Sequence, residues 1–227
     1  MLLNGTVGEL VSTDGASPPS GIRQGRQGDL IASELHGRFY EQNFRGRLYS
    51  GGMPLTAINA ATSTTATLGA TAVPILGLWN PLSSTVNLVL LQAMMTVALT
   101  ALQNTGLGAL LWCTSVGNSG LTLGNAPLNR KTLLNAGSMA KDMSGIALTG
   151  LTNNLTIRNV SPIGSGNLYN VASLGTAAGW STTAAPEVEN IDGAWIIPPG
   201  GVIALLAATT PVAHSIASAI TWEEVPV

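Results

Sequence analysis

Charge is what this 227-residue chain has least of: Asp, Glu, Lys and Arg make up 9% of it, against roughly 25% in an ordinary soluble domain. Nine Lys and Arg against eleven Asp and Glu leave a formal net charge of -2. There is no basic stripe to displace counterions from a phosphate backbone, so no general nucleic-acid binding is expected. Cysteine occurs once, at Cys113, which excludes an intrachain disulfide. One Cys and two His also cannot furnish the four ligands of a zinc finger, and no metal or cofactor is expected. Aromatic residues are scarce at 4%. The start, Met1-Leu2-Leu3-Asn4-Gly5, lacks a basic segment followed by an apolar core, so folding in a reducing cytoplasm without a secretory signal is expected.

What is present is apolar and small. Hydrophobic residues reach 45%, and Gly, Ala, Ser, Thr and Asn supply much of the rest. A surface so poor in charge has little to keep copies apart. It is easier to understand if sister subunits cover much of it, and a homo-oligomer is therefore expected.

Charge divides the sequence. Half of the charged residues fall in residues 1–50, and none occurs from Gly51 to Asn129. Residues 1–50 are expected to form an extended N-terminal arm, and residues 51–227 a β-domain. Within the arm, Asp14-Gly15-Ala16-Ser17-Pro18-Pro19-Ser20-Gly21 reads as turn and polyproline-type chain. Further on, Arg38, Phe39, Tyr40, Phe44, Arg45, Arg47 and Tyr49 interleave cations with aromatics, the residue types enriched at buried protein interfaces. They are the expected assembly contacts. The same pattern could stack nucleic-acid bases, but Glu34 and Glu41 oppose that use.

Beyond Gly51-Gly52 the texture is β. Short apolar runs (Ala72–Trp79, Leu107–Ser115, Leu155–Val160, Ala194–Ile197, Val202–Ala207 and Ser215–Glu224) alternate with Gly, Pro and Asn punctuation. This spacing predicts an all-β, antiparallel β-sandwich. Val86–Leu102 could be a helix, a long strand or a membrane span. At 17 residues it is near the lower limit for a span, carries Asn87 and Gln92 and has no flanking cation. Alternation of Val86, Leu88 and Leu90, then of Met95, Val97 and Leu99, favours a strand. Arg130–Ser144 holds the best remaining helix candidate, one or two turns long.

The search for chemistry returns little. No Gly-x-Ser-x-Gly elbow accompanies His214, and no phosphate-cradling loop is present. Glu187, Glu189 and Asp192 precede Trp195, and a pair of acids at the right separation could cleave a glycoside. Trp180 and Trp195 are the candidate glycan contacts. Cys113, within an apolar run, is expected to be buried and inert. The chain is expected not to be an enzyme.

Two stretches carry a resemblance. The arm motif Leu35-His36-Gly37-Arg38-Phe39-Tyr40-Glu41-Gln42, continued by Arg45-Gly46, resembles the arms of phage virion proteins. The closing pattern Trp195-Ile196-Ile197-Pro198-Pro199-Gly200-Gly201-Val202, with Ala217-Ser218-Ala219-Ile220-Thr221-Trp222-Glu223-Glu224, resembles the last hairpin of small jelly-roll-like capsid decoration (cement) and tail modules. The resemblance implies a head decoration protein that is made in the host cytoplasm and resides in the virion. It further implies symmetric association, a trimer favoured, with the major capsid protein or tail proteins as partners and no membrane. A tail, nozzle or fibre component and a carbohydrate-binding β-sandwich are the alternatives.

Overall fold

A computed structural model of the protein describes residues 39–53, 56–58, 68–98, 109–121, 124–163, 187–207 and 214–227. The chain divides into two units, Met1–Tyr40 and Glu41–Val227. The compact unit thus begins before the Gly51 boundary expected from charge. Residues 1–38 of the expected arm, Arg38 included, lie outside the described residues, as does Trp180.

The second unit is an all-β sandwich of two antiparallel sheets. The larger is ordered β10 (Ile196–Ile197), β4 (Val86–Ala98), β12 (His214–Pro226), β1 (Leu48–Gly51), β6 (Leu128–Asn129). In it β9 (Glu187–Asn190) also pairs with β4, and β2 (Thr56–Ile58) with β12. The smaller sheet runs β7 (Lys141–Asp142), β3 (Leu76–Trp79), β11 (Val202–Ala207), β5 (Leu110–Ser115), β8 (Thr156–Val160).

The ambiguous stretch 86–102 contains a strand, β4, paired with β12 along its length. Its alternation changes phase midway: Leu88 and Leu90 are buried, and then Ala93 and Met95 are. The cause is a β-bulge. Trp222 pairs with Leu90 and Thr221 with Gln92, so Leu91 has no opposite number, and one extra residue flips every later side chain to the other face. On the partner β12 the alternate residues Ile216, Ser218, Ile220, Trp222 and Glu224 are all buried, and Thr221, beside the bulge, is buried as well.

The main core lies between the sheets, around Leu76, Leu78, Leu88, Leu90, Trp112 and Trp222. Trp222 stacks on Tyr49, with ring centroids 6.2 Å apart and planes 22° from parallel. A second cluster (Trp79, Cys113, Leu121, Met143, Leu148, Leu206) covers the outer side of the smaller sheet with loops. Burial on both faces explains why β11 reads Val-Ile-Ala-Leu-Leu-Ala without alternation.

Residues 130–144 are not helical. The side chain of Asn129 competes with the helix there: its Oδ1 accepts from the amides of Lys131 and Thr132, an Asx-type turn. Leu133 and Gly137 then take positive φ, 58° and 86°. The described helix lies elsewhere, as α1 (Tyr40–Phe44) within the expected arm.

Candidate assembly surfaces

Among the described residues, two sides of the sandwich each expose several large apolar side chains. The first is built by α1, β1, β6 and the loop to β7. Helix α1 ends in a Schellman pattern: the Gly46 amide donates to Asn43 O and the Arg47 amide to Gln42 O, with Gly46 at φ 69°. The reversal leads into β1 and leaves Arg45 and Arg47 exposed. Asn129 fixes it to the neighbouring turn, donating through Nδ2 to Gly46 O at 2.8 Å. Lys131 crosses the same junction, its Nζ 2.6 Å from Phe44 O and 5.0 Å from the Phe44 ring centroid. Arg130 is exposed beside it.

Three large apolar side chains share this basic surface: Phe44 (53% exposed), Leu133 (70%) and Leu134 (61%). Leu133 is unusual twice over. A bulky side chain at φ 58° sits in the left-handed region that only Gly, Asn and Asp enter readily, a strain on the order of 1 kcal/mol or more. Its exposure returns no burial energy against that cost.

The second side is formed by β8 of the smaller sheet with β9 and β10 of the larger. All five residues of β8 are exposed, so neither face of this strand is covered. Ile157 and Val160 on β8, Val188 on β9 and Ile196 on β10 are exposed apolar residues. The bulge on β4 positions the acidic turn after β9, because Leu91 O accepts from the amides of both Ile191 and Asp192.

Of the expected interface residues, Phe44, Arg45 and Arg47 come together on the first side. Phe39 and Tyr40 precede and open α1. Tyr49 has a different place: it is buried against Trp222, and its hydroxyl donates to Gly137 O at 3.1 Å. Burial pushes its phenol pKa up. Tyr49 serves the core of its own chain.

The acids divide likewise. Glu189 bridges the sheets, accepting from Trp112 Nε1 at 2.9 Å and from Ser161 Oγ. Glu224 accepts from Ser138 Oγ and the Met139 amide. Asp142 is buried, with its Oδ2 2.7 Å from the Gly52 amide and its Oδ1 2.9 Å from that of Ser144. Desolvation raises its pKa. Sequence reasoning gave Asp142 and Glu224 no role of this kind, since nothing in a linear pattern marks a carboxylate that accepts a backbone amide from a segment far along the chain.

Trp195 packs partly against the main core. His214 opens β12 opposite Ile58. Cys113 is buried, its thiol pushed up to about 11 by desolvation, which keeps it protonated and unreactive at neutral pH. Among the described residues no group of three or more His, Cys, Asp or Glu could hold a metal ion, and no helix is long and apolar enough to cross a membrane.

The central outer face of the larger sheet adds a shallow groove of about 190 Å³, lined by Met94, Thr96, Ala217 and Ala219 with no charged group. Comparison with protein-family models, curated proteins and solved structures finds no match for this chain, so its function has to be argued from these surfaces.

Proposed function

We propose that the chain is a non-enzymatic structural protein of a phage virion, a head decoration or cement protein that stabilises the shell by associating with itself and with the major capsid protein. The observation that carries this reading is apolar exposure on a charge-poor β-sandwich. An edge strand with five exposed residues, and a strained leucine at the tip of an exposed turn, are costly features in a protein that stays alone in water. Both become intelligible when a neighbour buries them. The resemblance of the arm and of the closing hairpin to phage modules supplies the location. On this reading the protein is made in the host cytoplasm, and its interfaces are completed on the particle.

The test is co-sedimentation of purified full-length chain with capsid shells lacking it and, separately, with isolated tails. Saturable sedimentation with shells, together with a higher temperature for shell disruption, is expected. Binding to tails alone moves the protein to a tail, nozzle or fibre position. Sedimentation with neither overturns the virion reading.

A further inference from the structure

The turn between β6 and β7 is pinned at both roots and strained at its tip. At the first root the Arg130 amide donates to Leu48 O and Asn129 Nδ2 to Gly46 O. At the second, Tyr49 Oη donates to Gly137 O, and Ser138 Oγ and the Met139 amide donate to Glu224. Asn129 then closes the tip. Its carbonyl accepts from the Leu133 amide, its own amide donates to Leu134 O, and its Oδ1 accepts from the amides of Lys131 and Thr132. Moving Leu133 from φ 58° to an ordinary backbone conformation would disturb those bonds, so the strain is held in place. Residues 131–137 are all exposed, and Leu133, Leu134 and Met139 are the exposed large apolar side chains of this turn.

Leucine is a poor residue for this place in a chain that stays alone. Asn or Gly enters the left-handed region with far less strain, and an exposed leucine recovers little of that cost by burial. We infer that Leu133, with Leu134 beside it, anchors the contact between copies of this chain and is retained there at a cost in monomer stability. Pinned roots leave few backbone torsions of the turn to be ordered on docking, which lowers the entropy lost in the contact. The partner is a second copy because the shortage of charge is chain-wide, at 9% of residues. Each copy therefore meets the leucines with a surface that has few charges to desolvate. Stability of the single chain and strength of assembly pull in opposite directions at position 133. That opposition separates an anchor from an ordinary exposed residue, whose replacement moves neither by much.

This inference rests on the self-assembly reading above, and Leu133→Asn separates the two. Asn accepts the left-handed conformation and removes the apolar side chain. For the full-length chain and its variants, light scattering is read across a concentration series, and thermal unfolding at a dilution where the chain is monomeric. Leu133→Asn is expected to raise the concentration for half-assembly by at least about tenfold, and the monomer's unfolding midpoint by about 2–4 °C. Leu133→Met keeps both an apolar side chain and the strain, so both readings should stay near wild type. Leu134→Asn should weaken assembly without the gain in midpoint, since Leu134 is not in the left-handed region. An assembly midpoint unmoved by Leu133→Asn, or an unfolding midpoint that does not rise, overturns the anchor and leaves self-assembly standing. Self-association retained by Leu133→Asn while its sedimentation with shells is lost overturns the second copy as partner. A wild-type chain that stays monomeric overturns both.

Discussion

Carboxylates clasp both sides of the sandwich, but they do so by different means. On the β6/β7 side Asp142 accepts backbone amides from Gly52 and Ser144, and Glu224 takes the Met139 amide and the Ser138 hydroxyl. On the β8/β9 side Glu189 accepts from two side chains of the opposite sheet, Trp112 and Ser161. A clasp onto backbone requires the chains to approach closely. A Cβ on Gly51 would lie 2.7 Å from Asp142 Cγ, and one on Gly52 would collide with Ser218 O. A clasp between side chains tolerates more backbone freedom but depends on one indole and one hydroxyl. The first side is therefore expected to fail through glycine, the second through its donors.

Breaking the backbone clasp should have the largest effect. Gly52 sits at φ 149°, so Gly52→Ala meets both the collision and a disfavoured backbone conformation. A loss of more than about 3 kcal/mol is expected in denaturant unfolding. A loss under about 1 kcal/mol would show that β1 can shift away from β12 without penalty.

Removing the side-chain clasp comes next. Glu189→Ala leaves the Trp112 indole N–H and the Ser161 hydroxyl without their acceptor, at about 2 kcal/mol. The same experiment bears on the glycosidase alternative, because a carboxylate committed to Trp112 and Ser161 is held for structure. Any polysaccharide turnover abolished by this change would reverse that conclusion.

Tyr49→Phe keeps the stack on Trp222 and deletes the hydroxyl with its bonds to Gly137 O and to the Asn129 side chain, so about 1–2 kcal/mol is expected. No loss of self-association should accompany it beyond that change in stability. A specific loss would return Tyr49 to the interface set.

The smallest effect is the pH dependence of Asp142. Its folded pKa is raised by desolvation, so the folded state holds that proton more tightly than the unfolded chain does. The resulting stability is fully present below the ordinary carboxylate range and is lost as pH rises through the raised value. Asp142→Asn should remove this component and flatten the difference between acidic and neutral unfolding midpoints. An unchanged profile would assign the pH dependence to other groups.

The architecture was legible in the residues wherever burial is one-sided or complete. The apolar run Val202–Ala207 is β11, copied residue for residue. Even the phase slip between Leu90 and Met95 is written in the sequence, although only the pairing with β12 identifies it as a bulge at Leu91. Elements defined by side-chain competition or by distant partners were not legible. Asn129 converts a helical composition into turns through its Oδ1. Leu48–Gly51 looks like part of a charged arm until its partners in β12 are known, and β9 reads as an acidic loop until it pairs with β4. For the candidate surface, the cations and Phe44 could be found by composition. Leu133 and the exposed β8 could not, because exposure of an apolar residue has no sequence signature of its own.

Self-association is the claim on which the rest depends, and the solution mass of the full-length chain across a concentration series tests it most directly. A discrete species at a small multiple of the 23.1 kDa chain, three being favoured, is the expected result. A monomer that persists to the highest soluble concentration would mean that β8 and Leu133 remain bare in solution, and would contradict the account.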